Sequence, residues 1–136
     1  MVATAPLVLI DLTASDGTVG RSYVFTYTPL ALEATRQMVI ALGQGITRQP
    51  LAPFDLDRFF AQRMRLLGRT GVALMACAGI DMAAWDALAI SRDAPLVEML
   101  GGTRNPLPAY DSHSMDGEEI GVLRAAQARD QGYPER

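Results

Sequence analysis

The stretch GVALMACAGIDMAAWDALAIS, Gly71–Ser91, decides how this chain folds. Apolar residues fall on nearly every side of a helix built from it, and a helix that is apolar all round belongs inside a fold. Small residues within it let neighbouring elements approach closely; they are Ala76, Ala83, Ala84 and Ala87. We therefore expect a central buried helix around which the other elements pack.

The same stretch is the longest apolar run of the chain, and Asp81 and Asp86 interrupt it. A carboxylate is costly at membrane depth, so we expect no membrane-spanning helix and no membrane partner. The apolar start, Met1–Leu12, lacks the basic residues and cleavage site of a secretory signal, and Asp11 closes it. No targeting segment is expected there.

Two runs upstream of the central helix have the composition of β-strands. Leu7–Leu12 and Val19–Phe25 are rich in β-branched, aliphatic and aromatic residues, and an Asp-Gly pair suited to a tight turn lies between them. The pattern predicts an antiparallel hairpin. Because two strands alone are only marginally stable in water, the helices should cover one face of it.

Three further helices are predicted in the first hundred residues. Thr28 is a favourable N-cap before proline, and the apolar spacing predicts a helix over Pro29–Gly43. Asp55 is placed to cap a second helix that should end near Gly68. Leu96–Leu100 should form a short helix that a pair of glycines stops.

The last part of the chain has a different organisation. Residues 105–108 have the composition of a linker, Leu107–Ser112 is predicted as a short strand, and Glu118–Gln131 as a helix. A strand followed by a helix is half of a βαβ unit, which needs parallel neighbours. We therefore divide the chain into residues 1–104 and 105–136.

Composition restricts the class of protein. The 136 residues are 49% apolar and 20% charged, which is typical of one folded domain. The net charge of -3, with mixed signs, does not suggest a nucleic-acid partner. Cys77 is the only cysteine and has no partner for an intramolecular disulfide, so we expect a reducing compartment, the cytoplasm.

One missing residue type limits the chemistry. All twelve basic residues are arginines, and no lysine occurs among the 136 residues. Arginine stays protonated in proteins and cannot serve as a general base, whereas lysine can be tuned to do so. Lysine chemistry is therefore excluded for these residues.

The only histidine lies in a stretch that invites a hydrolase interpretation, Asp111-Ser112-His113-Ser114. In an extended strand Asp111 and His113 point to one face and Ser112 to the other, so these neighbours cannot form a Ser-His-Asp relay among themselves. We favour a strand end whose polar residues cap the following helix.

Two other groups have simpler explanations than a ligand site. Asp81 and Asp86 are five residues apart on a helix and diverge around its axis, so together with Asp11 they are better explained as capping or salt-bridging groups than as metal ligands. Four arginines fit the solvated face of the second helix rather than a nucleic-acid surface; they are Arg58, Arg63, Arg65 and Arg69.

Three stretches carry a resemblance to a known family: TAPLVLIDL at Thr4–Leu12, AGIDMAAWDAL at Ala78–Leu88, and AYDSHS at Ala109–Ser114. They resemble the mandelate racemase/muconate lactonizing enzyme family of the enolase superfamily. The Trp-Asp motif of the second stretch, followed by Pro95-Leu96 and the Leu-Gly-Gly at 100–102, is similar to the superfamily's N-terminal capping domain. The Ser-His stretch is narrower and points to the racemase branch.

The resemblance implies a fold and an activity. The fold is an α+β capping domain, with an antiparallel hairpin plus helices, followed by the first strand and helix of a (β/α) barrel. The activity is a magnesium-dependent 1,1-proton transfer at the α carbon of a 2-hydroxy carboxylate, a small-molecule substrate. Ser112 matches a serine that binds the substrate carboxylate, with His113 beside it, and Tyr27 matches a tyrosine that reaches over the substrate.

The resemblance also implies that parts of the family pattern lie outside this sequence. The family's first strand and lid loop would precede Thr4, and its paired lysines, three acidic magnesium ligands and catalytic histidine would follow the first barrel helix. We therefore expect no magnesium on this chain and no activity by itself. The alternative is a non-catalytic binding module that associates with a barrel chain, or with itself through exposed barrel-facing surface and an unpaired hairpin edge.

Overall fold

The structure is a computed structural model that describes residues 4–112 and 117–133. It divides into two compact units, one comprising Thr4–Thr103 and the other beginning at Arg104. The first unit contains two strands and four helices: β1 (Leu7–Thr13), β2 (Val19–Phe25), α1 (Pro29–Ile46), α2 (Pro53–Arg63), α3 (Gly71–Ser91) and α4 (Leu96–Met99). The second unit contains α5 (Glu118–Asp130).

The predicted hairpin is confirmed. β1 and β2 pair antiparallel in a register that runs from Leu7 opposite Phe25 to Thr13 opposite Val19. The turn between them is closed by the Thr18 amide, which donates to the Asp16 carboxylate at 2.9 Å. One face of this two-stranded sheet is buried against the helices.

The predicted central helix is confirmed with the expected bounds, and it packs directly under the hairpin. Val8, Ile10 and Val24 point inward and pack with Ala83 of α3. At Gly20, a Cβ atom would lie 2.0 Å from the Ala83 carbonyl oxygen, so strand and helix touch backbone to backbone. The fold therefore requires a glycine on β2 at this position.

Two polar contacts fix the hairpin on α3. The Ser22 hydroxyl donates to the Gly79 carbonyl at 2.6 Å, and the Arg21 amide donates to the Asp86 carboxylate at 2.8 Å. Asp86 thus satisfies a backbone donor at the edge of β2. This tertiary hydrogen bond is neither the cap nor the salt bridge that the sequence suggested for Asp86.

The other side of α3 carries the larger part of the core. Leu42 of α1 and Leu56 and Phe60 of α2 pack with Cys77 and Ile80 of α3. α3 is also the one helix among the described residues that is long and apolar enough to cross a membrane by length and composition. Half of that window is buried inside the fold, as in the core helix of a folded domain.

Helix bounds differ from the predictions at two places. α1 continues through Gly43 to Ile46, because Gly43 and Gly45 keep helical conformations and do not end the helix. At Gly45 the missing Cβ makes room for the Phe59 ring, whose Cζ would lie 3.2 Å away. Gly45 is therefore a packing position.

The second helix was predicted with the wrong ends. α2 begins at Pro53 with Ala52 as its N-cap, and Asp55 lies in its first turn instead of capping it. Proline suits the first helical position, because its missing amide has no partner there anyway. The helix ends at Arg63, and Gly68, with a left-handed φ of +83°, terminates the turns that follow.

The strand predicted over Leu107–Ser112 does not form. Within the described residues the only sheet contains β1 and β2, and residues 107–112 have no regular structure. The helix that follows is confirmed as α5.

Replacing Gly20 by alanine should destabilise the protein. The added methyl group would overlap the backbone of α3, and forced overpacking costs about 1–3 kcal/mol. Urea unfolding at equilibrium measures this change. Gly43→Ala is the matched control, since nothing lies within 4 Å of its Cβ position and alanine favours a helix by about 1 kcal/mol over glycine. Equal stability of the two variants would contradict the packing described here.

Candidate functional site

The corner between β2 and α1 presents Tyr27, the tyrosine singled out by the sequence. Tyr27 follows the last residue of β2 by two positions and precedes Pro29, the first residue of α1. Its side chain is 76% exposed, and its backbone has a φ of +60°. A left-handed conformation is costly for a residue with a bulky side chain, so the surrounding structure must hold it.

Thr26 holds one side of this corner. It is buried, with 2% of its surface exposed, and its amide donates to the Pro6 carbonyl at 3.0 Å. Its hydroxyl lies 3.2 Å from the same carbonyl and 3.1 Å from the Thr28 carbonyl. The residue before Tyr27 is therefore tied both to the chain entering β1 and to the start of α1.

Thr28 holds the other side. Its amide donates to the Thr26 carbonyl at 2.6 Å, and its hydroxyl accepts from the Leu30 amide at 3.3 Å as the N-cap of α1. With both neighbours anchored, Tyr27 has little freedom to relax its backbone. The phenol is thus presented from a rigid corner rather than from a flexible loop.

An aromatic neighbour orients the phenol ring. The centroids of the Phe25 and Tyr27 rings are 4.6 Å apart, with the planes tilted by 41°. Such a pair offers an apolar surface next to one hydroxyl that can donate or accept a hydrogen bond. This arrangement can contact an apolar group and bind an oxygen atom at the same time.

The other two predicted site residues belong to the second part of the chain. Ser112 lies in the unit that begins at Arg104, is exposed, and belongs to no helix or strand. His113 and Ser114 lie outside the described residues, and so does any Ser-His-Asp arrangement that includes His113. Tyr27 belongs to the first unit and Ser112 to the second.

Two of the three aspartates considered as metal ligands have other partners. Asp11 lies 3.7 Å from the Arg21 guanidinium on the exposed face of the hairpin, while Asp86 accepts from the Arg21 amide. Burial raises the pKa of the Asp81 carboxyl, and the negative charge of Asp57 adds to this effect. Over residues 4–112 and 117–133, no group of three acidic, histidine or cysteine side chains could hold a metal ion.

The pKa of the Glu33 carboxyl is shifted in the opposite direction to that of Asp81. Hydrogen bonds from Arg36 and Gln37 lower its pKa to about 2, and the attraction of the Arg36 charge acts in the same direction. A carboxylate with so low a pKa is a weak base at neutral pH. Glu33 therefore has the character of a surface ion pair rather than of a proton acceptor.

Three of the clustered arginines have partners on the helix surface. Arg58 pairs with Asp55, and Arg69 pairs with Asp57. The Arg63 guanidinium lies over the Phe59 ring at 5.0 Å. These contacts agree with the solvated face expected for this helix.

The comparisons with known proteins agree on one family. The sequence profile described as "Mandelate racemase / muconate lactonizing enzyme, N-terminal domain" matches residues 1–101. The arabinonate dehydratase of Saccharolobus solfataricus is 26% identical over 105 residues, which are 76% of this chain and 28% of that enzyme. The chain thus spans less than a third of this relative.

Solved structures show the same fold. An enolase from Bradyrhizobium, complexed with magnesium and mandelic acid, is 40% identical with a TM-score of 0.80, over 93% of this chain and 36% of that one. An enolase from the alphaproteobacterium bal199, with bound magnesium, is 31% identical with a TM-score of 0.82, over 94% and 36%. The 3,6-anhydro-D-galactonate cycloisomerase of Zobellia galactanivorans, at 23% identity and a TM-score of 0.77 over 93% and 35%, shares the fold.

The described residues do not fit a magnesium ion such as the two solved enolases hold. Magnesium takes oxygen ligands from carboxylates, and the carboxylates of this unit are paired or dispersed as given above. The hairpin with its helices does match the enolase-superfamily capping domain.

The sequence did not indicate Thr26 as an anchor. A buried threonine just before an exposed tyrosine and an N-cap is the pattern that could have shown it.

Replacing Thr26 by valine should loosen the corner. Valine keeps the shape but removes a buried hydroxyl that lies within hydrogen-bond distance of two carbonyls and donates its single hydrogen there, which costs about 1 kcal/mol of folding stability. The proximity of the Phe25 and Tyr27 rings, followed by NMR cross-relaxation, should weaken as well. Thr26→Ser is the control, since it keeps the hydroxyl; a ring contact equally strong in both variants would contradict the anchoring role.

Replacing Asp81 by asparagine should stabilise the protein at neutral pH. The folded-state pKa of Asp81 is raised above the ordinary value of 3.8. The ionised carboxylate therefore opposes folding at pH values above 3.8, and this effect is lost at lower pH, where the carboxyl is protonated in both states. The gain from Asp81→Asn should therefore be present at pH 7 and vanish near pH 3. Thermal unfolding across this range measures it; a gain that does not change with pH would contradict the assignment.

Proposed function

This chain belongs to the mandelate racemase/muconate lactonizing enzyme family through its N-terminal domain, and we propose that it is the capping part of an enzyme that moves a proton next to a carboxylate. The observation that carries the proposal is the Tyr27 corner, an exposed phenol held rigidly within a domain of this family. The reaction proposed is a magnesium-dependent 1,1-proton transfer at the α carbon of a 2-hydroxy carboxylate.

The proposed substrate carries an apolar group beside its carboxylate. A relative that is 40% identical over most of this chain was solved with mandelic acid, which has a phenyl ring, a hydroxyl and a carboxylate. The Phe25 and Tyr27 pair supplies an apolar surface for such a ring and a hydroxyl for one of its oxygens. Substrates of this class are therefore supported by the chemistry of the corner.

In this proposal the chain binds and orients the substrate but does not take its proton. Tyr27 donates a hydrogen bond to a substrate oxygen and shields the reacting carbon from water. Ser112 donates to the carboxylate, and His113 is its neighbour in the family pattern. The arginines cannot accept a proton, and Glu33 is too weak a base, so the 136 residues alone should be inactive.

A second function is supported by exposed apolar surface. Leu7 and Leu9 lie on the outer face of the hairpin, and Leu74 and Met82 of α3 are about half exposed. Surfaces of this kind are typical of docking faces, so a non-catalytic module that associates with a barrel chain is the alternative proposal.

We also propose a cytoplasmic location, supported by a buried free thiol at Cys77.

A chimeric enzyme tests the catalytic proposal. Residues 4–103 of this chain would replace the aligned domain of the Bradyrhizobium enolase, and exchange of the mandelate α proton with deuterium would be followed by NMR in the presence of magnesium. The chimera should catalyse exchange, and Tyr27→Phe should lower its kcat/KM about tenfold or more, since a hydrogen bond to a charged group contributes about 1.5–3 kcal/mol.

The control for this experiment is Tyr23→Phe, which removes a phenol hydroxyl from the middle of β2. It should change kcat/KM less than twofold, which corresponds to about 0.4 kcal/mol of transition-state stabilisation. An unchanged rate for Tyr27→Phe in an active chimera would contradict the role of this tyrosine. The 136-residue chain alone should exchange mandelate no faster than buffer with magnesium. Clear exchange by the chain alone would contradict the proposed division of roles.

A further inference from the structure

Tyr27 lies at the centre of a three-residue turn. The Thr28 amide donates to the Thr26 carbonyl at 2.6 Å, and the Tyr27 backbone between them has a φ of +60°. A hydrogen bond between residues two apart, around a residue of positive φ, is the mark of the rare and strained form of the γ-turn. Strain of this kind persists only where the surrounding structure imposes it, and it is concentrated at functional sites.

The helix side of this γ-turn is fixed by the start of α1. Thr28 precedes Pro29, and a residue before proline is restricted to extended conformations; the Thr28 φ of -134° and ψ of 139° are of this kind. The Thr28 carbonyl also accepts from the Ala31 amide at 3.1 Å. The residue that follows Tyr27 therefore cannot move to relieve the strain without disturbing the helix.

The strand side of the γ-turn is held by one hydroxyl. Thr26 is buried, and its hydroxyl oxygen lies 3.2 Å from the Pro6 carbonyl oxygen and 3.1 Å from the Thr28 carbonyl oxygen. A hydroxyl has one hydrogen, so it donates to one of these carbonyls at a time. The first bond ties the turn to Pro6, which is buried at the entry to β1, and the second spans Tyr27.

This hydroxyl is what the threonine side chain adds to the corner. The backbone bond from the Thr26 amide to the Pro6 carbonyl, at 3.0 Å, would form with any residue that has an amide hydrogen. Without the hydroxyl, Tyr27 should relax towards the negative φ values that residues with side chains prefer. A change of φ redirects the side chain, so the phenol ring should leave its place 4.6 Å from the Phe25 ring.

We propose that Thr26 is a positioning residue for the proton-transfer reaction. Its hydroxyl holds Tyr27 in the strained γ-turn and so keeps the phenol hydroxyl aimed at the substrate oxygen. The inference rests on the proposed function, in which Tyr27 donates a hydrogen bond to the substrate. Thr26 is buried and acts through Tyr27, because a donor that is aligned before the reaction begins needs no reorganisation during it.

A double-mutant cycle in the chimera of this chain with the Bradyrhizobium enolase tests the inference. Thr26→Val should lower kcat/KM for exchange of the mandelate α proton about threefold to tenfold, since misplacing a group that contacts the substrate slows the reaction. In the Tyr27→Phe background the same substitution should cost less than about twofold, because the hydroxyl that Thr26 positions is already gone. Thr26→Ser keeps the bridging hydroxyl and should keep most of the rate.

Thr35→Val is the matched control for lost stability. Thr35 is fully buried in α1, and its hydroxyl donates to the Ala31 carbonyl at 2.8 Å. The substitution removes a buried threonine hydroxyl of the same kind without removing a bond of the γ-turn. It should lower the free energy of unfolding as Thr26→Val does, yet leave kcat/KM within about twofold of the original value.

The 136-residue chain supplies a readout that does not depend on catalysis. The Tyr27 φ, measured from NMR scalar couplings, should move from +60° towards negative values in Thr26→Val. It should stay positive in Thr26→Ser and in Thr35→Val.

Three results would overturn the proposal. The first is an equal loss of rate from Thr26→Val in both backgrounds, since the effect would then not pass through Tyr27. The second is a Tyr27 φ that Thr26→Val leaves unchanged. The third is an active chimera in which Tyr27→Phe lowers the rate and Thr26→Val does not, which leaves the proposed function standing; an unchanged rate for Tyr27→Phe would contradict the proposed function itself.

Discussion

The contact between the backbones of β2 and α3 is the constraint on which the first unit depends. At Gly20 the strand lies so close to the helix that a side chain would collide with the Ala83 carbonyl and with Ala87. Glycine on the strand and alanine on the helix make this approach possible, and Ser22 and the Arg21 amide add hydrogen bonds beside it. α3 can then pack against the hairpin on one side and against α1 and α2 on the other.

This contact also determines the geometry of the candidate site. With one face of the hairpin fixed on α3, Val24 points inward and Phe25 lies on the outer side. Thr26 is buried again and tied to Pro6, so the chain must turn sharply at the next residue to enter α1. Tyr27 occupies that turn with a left-handed backbone, and its phenol is exposed because the anchored residues on either side leave it no buried position.

In the function proposed above, the groups of this chain bind the substrate and do not transfer its proton. The chain contains a rigidly held phenol, an exposed serine in the second unit, paired carboxylates and arginines, and no lysine. Residues 1–101 belong to the N-terminal domain of the family, and two solved relatives of the chain hold magnesium.

The sequence by itself determined the central helix, the hairpin and its turn, the start of α1, α5 and the family, because periodicity, turn residues and motif letters are local properties. Tertiary structure alone decided that Gly45 lies inside α1 beside Phe59 and that Thr26 anchors Tyr27, since both depend on residues distant in the chain. It also decided that Leu107–Ser112 is not one of the strands found within residues 4–112 and 117–133, because strand formation depends on pairing with residues distant in the chain.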